Sequence, residues 1–265
     1  MALKLYSEKE LPKAFPQEGT ARNTEQMPLL IADGRVPVNL VYVMKRRLNP
    51  QLADWLSNGF DLGDGFVYHP DGRVKYSHDA QQLREVSEKS DLVDGALKLA
   101  DGTYDTVQGI KLSKEDIAKY LGKELSAQEA KENKLWRIAA RHPDEVPKSI
   151  AQDANLLNAY VDEIFARYQE KFGPDKKVED LRLMGVYLDS AGNVEKMRAA
   201  CVGRLVNWSQ LDGRLRLGFG SGRLVGVAPE ALNANDSIIL QPSLEHLLRI
   251  TNEQFGKGKF ELRIK

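Results

Sequence analysis

Apolar and polar residues alternate along several short runs in the first part of the chain, as they do in half-buried β-strands. The clearest pair covers residues 66–69 and 73–76, which flank Pro70-Asp71-Gly72. Asp and Gly tolerate the positive φ of tight hairpin turns, and the dipeptide recurs at Asp33, Asp64, Asp71, Asp94, Asp101 and Asp212. We predict an antiparallel hairpin over 66–76 and a second around Asp101-Gly102.

In the middle of the chain, apolar residues recur every three to four positions instead of alternating with polar ones. The strongest instance of this period predicts a long helix over 156–172 that ends at Gly173-Pro174. The residues expected on its core face are Tyr160, Ile164, Phe165 and Tyr168. Ser126 and Glu129 form a capping-box pattern, and the apolar residues of 135–139 predict that this helix continues. Residues 113–173 are therefore interpreted as a central helical block.

Strand patterns return after this block, with a predicted hairpin over 215–227 around Gly220-Ser221-Gly222. Strands, then helices, then strands favour an α+β fold over a parallel, doubly wound sheet. We expect antiparallel, hairpin-rich sheet packed against the helical block. A single domain over 1–265 is the first interpretation, and a division into two lobes near 173–178 is the alternative.

The composition is that of an ordinary globular protein. Of 265 residues, 42% are hydrophobic and 29% charged, and 38 Lys and Arg balance 38 Asp and Glu. This balance excludes a globally basic protein of the kind that coats nucleic acid. The one cysteine, Cys201, and the charged residues spread through 1–30 indicate a cytoplasmic protein. No apolar run approaches the roughly 18 residues of a membrane span.

A glycine-rich segment with nearby arginines is the strongest candidate for binding. It combines the free backbone N–H groups of a turn with guanidinium groups, which suit a phosphate or carboxylate. The predicted anion-binding residues are Arg214, Arg216, Gly220, Ser221, Gly222 and Arg223. The alternative is an ordinary hairpin turn whose glycines supply positive φ and whose arginines face water.

A second basic cluster, Lys45-Arg46-Arg47, follows the strand-like run 38–44. It is a weaker candidate for contact with a nucleic-acid backbone, and solvated surface is the alternative. Residues 114–122 resemble the first helix of a helix-turn-helix, but the following segment carries Glu124, Glu129 and Glu132, which would repel phosphate. A nucleic-acid partner is therefore not favoured.

Other chemistry has little support in the sequence. The four histidines, at 69, 78, 142 and 246, lack the spacing that places two metal ligands on one helix face. Residues 61–65 have the carboxylates of a calcium loop without its ligand spacing, and we interpret them as a turn. Cys201 lies in an apolar run typical of a buried thiol. We predict neither a metal nor a cofactor.

Two functions remain as hypotheses. The first is a non-catalytic binding or assembly protein that engages an anionic partner, as a homo-oligomer or within a larger assembly. The second is an enzyme acting on a phosphorylated or carboxylated small molecule, with acid–base residues that meet only in the fold.

Overall fold

The structure is a computed structural model, and it describes residues 11–15, 22–49, 55, 57–112, 135–139, 152–175, 182–187, 193–204, 211–213, 216–219 and 223–233. Its strands are β1 (Lys13–Phe15), β2 (Val36–Pro37), β3 (Phe60–Tyr68), β4 (Val74–Ser77), β5 (Leu92–Val93), β6 (Ala96–Lys98), β7 (Ile110–Leu112), β8 (Leu135–Ala139), β9 (Arg182–Tyr187), β10 (Lys196–Val202), β11 (Leu211–Asp212) and β12 (Arg223–Val227). Its helices are α1 (Asn23–Ala32), α2 (Leu40–Arg47), α3 (Gln81–Arg84), α4 (Thr103–Thr106), α5 (Ala154–Phe172) and α6 (Pro229–Asn233).

These strands form one mixed sheet. Its main path runs β1-β12-β3-β10-β11-β9-β8, and the remaining strands branch from it. Most neighbours are antiparallel, but β12 runs parallel to β3, and β11 runs parallel to β9. Helices with a mixed sheet agree with the α+β class. The expectation of an antiparallel sheet was too narrow, because two of its strand pairs are parallel.

Strand β3 separates two hydrophobic cores, because its successive side chains point to opposite faces of the sheet. Phe66 and Tyr68 enter the larger core, which α2 and α5 cover, whereas Val67 enters the second core with Met197 and Leu217. The antiparallel partner β10 follows the same alternation, with an irregular register between residues 199 and 201.

The hairpin predicted over 66–76 is confirmed. Phe66 pairs with Tyr76 and Tyr68 with Val74, and the turn between them contains Gly72 at a φ of 92°. The second hairpin, predicted around Asp101-Gly102, is wrong, because only the residues before this turn form a strand, β6. The residues after Gly102 form the short helix α4, whose first N–H groups are held by the Glu195 carboxylate.

The long helix is also confirmed, as α5. The Asp153 side chain accepts from the N–H groups of residues 155 and 156 at its start, and the helix ends at Gly173. Tyr160 and Ile164 are buried in the larger core, and Phe165 and Tyr168 pack against it half-buried. The spacing of these residues was therefore sufficient to identify the inner face of the helix.

Two other sequence interpretations were wrong. Residues 135–139 form strand β8, paired with β9, so the central block is not helical throughout; residues 113–134 lie outside the described part of the chain. The run 38–44, predicted as a strand, instead enters helix α2. The Asn39 side chain caps this helix by accepting from the N–H of Tyr42. In 135–139 strand pairing outweighs the helical pattern, whereas in 38–44 the helix has a local signal, the Asn39 cap.

Candidate functional site

A four-residue turn, 216–219, presents an arginine and an aromatic side chain at the surface. The N–H of Phe219 donates to the carbonyl of Arg216 at 3.0 Å. The Phe219 side chain is 63% exposed, and the Arg216 guanidinium lies 5.6 Å from the centroid of its ring. The turn thus holds a cation and an apolar ring side by side at the protein surface.

Leu217 fastens this turn to the body of the protein. Its side chain is buried in the second core, which also contains Met197 and Ala199. Its N–H donates to the carbonyl of Gly95 at 2.8 Å, and its own carbonyl accepts from the N–H of Thr24 at 3.4 Å. The turn is anchored through both the side chain and the backbone of Leu217. The backbone positions of Arg216 and Phe219 are therefore fixed, although their side chains are exposed.

The 216–219 turn packs against the loop of the β5–β6 hairpin. Val93 pairs with Ala96, so Asp94 and Gly95 form a two-residue loop, and their φ angles are 53° and 77°. Two positive φ angles are the requirement of a type I′ turn. A Cβ on Gly95 would also lie 2.8 Å from the Cβ of Arg216. Glycine is therefore needed here both for its backbone angle and for the close approach of the turn.

Two buried cations of β10 hold the same hairpin from the other side. Lys196 Nζ lies 3.4 Å from the Asp94 carboxylate, and Arg198 donates to the Asp94 backbone carbonyl at 3.0 Å. Both basic side chains are buried. These charge-assisted hydrogen bonds fix the hairpin loop, and they bring positive charge close to the elements that carry Arg216.

The predicted anion-binding segment is only partly described. Arg214, Gly220, Ser221 and Gly222 lie outside the described residues, and Arg216 and Arg223 are both exposed. The hairpin predicted over 215–227 is wrong in its first strand, because 216–219 is a turn, whereas its second strand is present as β12. Strand β12 pairs instead with β1, β2 and β3. Convergence of the arginines on one anion stays a prediction.

The basic cluster Lys45-Arg46-Arg47 ends helix α2, and two of its side chains face the interior. Arg47 is 1% exposed. It donates at 2.7 to 2.9 Å to the carbonyls of Trp55, Asn58 and Gly203 and to the Tyr160 hydroxyl. Arg46 is buried over the Tyr42 and Trp55 rings. Arg46 and Arg47 make their contacts in the protein interior. Contact with nucleic acid at this cluster stays a prediction for the half-buried Lys45.

A polar cluster that sequence analysis missed surrounds His69, at the tip of the β3–β4 hairpin. The His69 Nδ1 lies 2.7 Å from the Asp71 carboxylate, and its Nε2 lies 3.7 Å from the buried Glu195 carboxylate. Glu195 also accepts from the N–H groups of Gly102 and Tyr104 at 3.0 and 2.6 Å. The cluster joins the hairpin tip to β10 and α4. Glu195 is distant in the sequence, so no local motif reveals it.

The Asp71 carboxylate of this cluster is stabilised by hydrogen bonds from Arg73 and His69. Arg73 donates to it from the backbone N–H at 3.0 Å and from Nε at 2.8 Å. Desolvation by itself raises the pKa of Asp71, but the hydrogen bonds from Arg73 and His69 outweigh it and lower the pKa to about 2.

Residues 61–65, interpreted above as a turn, lie in the middle of β3, with both carboxylates buried. Asp64 accepts from the N–H of Leu40 at 2.7 Å, from the Tyr76 hydroxyl at 2.7 Å and from the N–H of Asp79 at 2.9 Å. Burial nonetheless raises the pKa of Asp64. Its role is to join α2 and the segment after β4 to the sheet.

Asp61 has a different environment on the opposite face of β3. It accepts a hydrogen bond from the Asn23 side chain, and burial raises its pKa to about 7. The Asp61 side chain is 2% exposed. A carboxyl group in such a site gains or loses its proton close to neutral pH.

The described residues contain no group of three or more His, Cys, Asp or Glu placed to hold a metal ion. In that same part of the chain, no helix is both long and apolar enough to cross a membrane. His142 and His246 lie outside it, and the His78 ring packs edge-on against Tyr76, 4.9 Å between centroids.

Neither the protein-family models nor the curated proteins include a match to this chain. A solved structure matches it, described as "Accommodation of massive sequence variation in Nanoarchaeota by the C-type lectin fold". The match covers 83% of this chain and 100% of that chain, with a TM-score of 0.52 and 15% sequence identity. At that identity the likeness concerns the fold alone. The chain shares the C-type lectin fold with this protein of Nanoarchaeota.

Proposed function

We propose that this protein is a non-catalytic binding protein whose 216–219 turn contacts an acidic segment of a partner protein. The observation that carries the proposal is the 63% exposure of Phe219 beside Arg216 on an anchored turn. Aromatic and arginine side chains are enriched in protein interfaces. An exposed ring on a turn fixed in place loses little conformational entropy when a partner covers it.

The preference for an anionic partner comes from the arginines. Arg216 and Arg223 are exposed, and each guanidinium suits bidentate contact with a carboxylate. The proposed site also includes Arg214 and the backbone of Gly220-Ser221-Gly222, which lies between Arg216 and Arg223 in the sequence. A short acidic segment needs only the local arginines, whereas nucleic acid is a long polyanion for which a chain of zero formal net charge has no general attraction.

The scaffold also suits this function. The protein of Nanoarchaeota is described as accommodating massive sequence variation by the C-type lectin fold. In the present chain the backbone anchoring is done by Leu217, Gly95 and Thr24. The stem of Arg216 packs against Gly95, whereas the Phe219 ring is exposed. Exposed positions of this kind can change with a partner while the framework is kept.

Binding of a fluorescein-labelled oligoglutamate peptide, followed by anisotropy across salt concentrations, tests the proposal. The Arg216→Ala/Arg223→Ala double variant is expected to weaken binding by about tenfold or more, and Phe219→Ser to weaken it as well. Arg204→Ala is the matched control, because Arg204 is exposed and outside the turn. Equal affinity in all variants, or tighter binding of a single-stranded oligonucleotide than of the peptide, would contradict the proposal.

Assembly with further copies of the chain belongs to the same proposal. Large apolar side chains are exposed on α1, where Leu29 and Ile31 are 56% and 37% accessible. Light scattering after size exclusion measures the oligomeric state directly. A mass of 29.7 kDa at high protein concentration would remove assembly from the proposal and leave the turn unaffected.

A further inference from the structure

The β5–β6 hairpin borders the 216–219 turn so closely that the two elements form one surface. The Cβ, Cγ and Cδ atoms of Arg216 lie 2.8 to 3.3 Å from the position that a Cβ on Gly95 would take. A Cβ on Gly218 would in turn lie 3.6 Å from Leu92 Cδ1. The turn thus contacts the hairpin at strand β5 as well as at its loop. A partner that covers the exposed turn therefore also reaches the hairpin.

The centre of this surface is apolar. Leu92 is half-buried, and Phe219 is 63% exposed. Gly218 precedes Phe219 and packs beside Leu92, so no side chain at this position covers either residue. Burial of such partly exposed apolar side chains under a partner removes them from water and stabilises the complex. The surface accordingly suits an aliphatic side chain of the partner.

Opposite charges flank the apolar centre. The stem of Arg216 lies against Gly95, and its guanidinium lies 5.6 Å from the centroid of the Phe219 ring. Asp94, which precedes Gly95 in the hairpin loop, has a side chain that is 65% exposed and pairs with the buried Lys196. The surface therefore carries a positive charge beside its exposed ring and a negative charge at the hairpin loop.

The Asp94 carboxylate is held in place and can still bind a second cation. Its Oδ2 lies 3.4 Å from Lys196 Nζ, which is long for a charge-assisted hydrogen bond. A carboxylate has about four acceptor sites on its two oxygens, so one long contact leaves most of them available. The loop itself is fixed by its backbone, since Arg198 donates to the Asp94 carbonyl at 3.0 Å.

We propose that Asp94 determines specificity at this surface, and that the partner segment carries acidic and basic residues on opposite sides of an aliphatic one. The acidic residue binds Arg216, the aliphatic residue covers Leu92 and Phe219, and the basic residue binds Asp94. This inference rests on the binding function proposed above and narrows its partner. A uniformly acidic segment binds less tightly, because it places a negative charge beside Asp94.

Fluorescence anisotropy with a labelled peptide tests the role of Asp94. The peptide has glutamates on one side of a leucine and lysines on the other, is made in both orders, and is compared with an analogue that has glutamine for each lysine. In its better order, the wild type should bind the lysine peptide about threefold more tightly than the analogue, as expected for an exposed ion pair.

Asp94→Asn should abolish this preference. Asparagine tolerates the positive φ of the loop before glycine, and its amide oxygen still accepts from Lys196. Asp105→Asn is the matched control, because it removes a 70% exposed carboxylate from α4, which follows the other end of β6. This control should keep the threefold preference.

The NMR signal of the Gly95 amide gives a second readout in the unmodified protein. It should shift further with the lysine peptide than with the glutamine analogue, because only the former engages the loop. Equal affinity of the wild type for the two peptides, or a preference that survives in Asp94→Asn, would overturn this inference. Oligoglutamate binding that depends on Arg216 would then leave the proposed function standing, whereas absence of binding by every peptide would overturn both.

Discussion

Replacing Asp61 by Asn should make the protein more stable near neutral pH and should do so in a pH-dependent way. The pKa of Asp61 rises from its ordinary 3.8 to about 7 in the folded protein, because burial disfavours the charged carboxylate more than the hydrogen bond from Asn23 stabilises it. Between these two values the folded protein keeps a proton that the unfolded chain has released. Raising the pH through this window therefore favours unfolding.

The magnitude follows from the same two values. A pKa difference of about three, at about 1.36 kcal/mol for each unit, corresponds to about 4 kcal/mol of stability. This contribution is complete below pH 3.8 and is lost by about pH 7. The free energy of unfolding of Asp61→Asn, minus that of the wild type, should consequently increase by about 4 kcal/mol from pH 4 to pH 8.

Urea unfolding at half-unit pH intervals measures this difference, with equal m-values as the sign that the denatured states are comparable. Subtracting the two proteins removes the contribution of Asp64, whose pKa is also raised by burial. A difference that stays constant from pH 4 to pH 8, or that grows as the pH falls, would refute the account of Asp61 as a buried, uncompensated carboxyl group.

Three further outcomes are expected. Arg47→Met should lower the free energy of unfolding by about 3–5 kcal/mol, because it removes the donor for the buried Tyr160 hydroxyl and for three partly buried carbonyls, whereas Lys45→Met should change it little; comparable urea midpoints would contradict this. Gly95→Ala should cost about 1–3 kcal/mol, from the strain of a positive φ and the close contact with the next turn, and calorimetry showing an unchanged melting temperature would count against it. By NMR titration Asp71 should have a pKa of about 2 in the wild type and a value nearer 3.8 in Arg73→Gln; no change between the two would mean that Arg73 does not hold the carboxylate.

Local chemistry was enough to identify some elements of this protein. The turn residues between 66–69 and 73–76 identified a hairpin correctly, because Gly72 meets the backbone requirement of the turn and both flanking runs alternate as strands do. The period of α5 likewise marks Tyr160 and Ile164 as its inner face, since both lie on one side of the helix. Arg216 was predicted as an anion-binding residue; its exposure is also what an ordinary turn would give, so anion binding stays a prediction.

Elsewhere the tertiary structure decided the outcome. Residues 135–139 have the apolar content of a helix, but pairing with β9 makes them a strand. Arg47 has the sequence context of a surface residue, but its donors satisfy loop carbonyls and Tyr160 in the interior. Asp61 belongs to a stretch that looks like a turn, and only the enclosure of β3 between β10, β12 and α1 makes it a buried, titrating group. Hydrophobic period and turn chemistry are properties of neighbouring residues, whereas strand pairing, burial of charge and proton affinity depend on contacts between residues far apart in the chain.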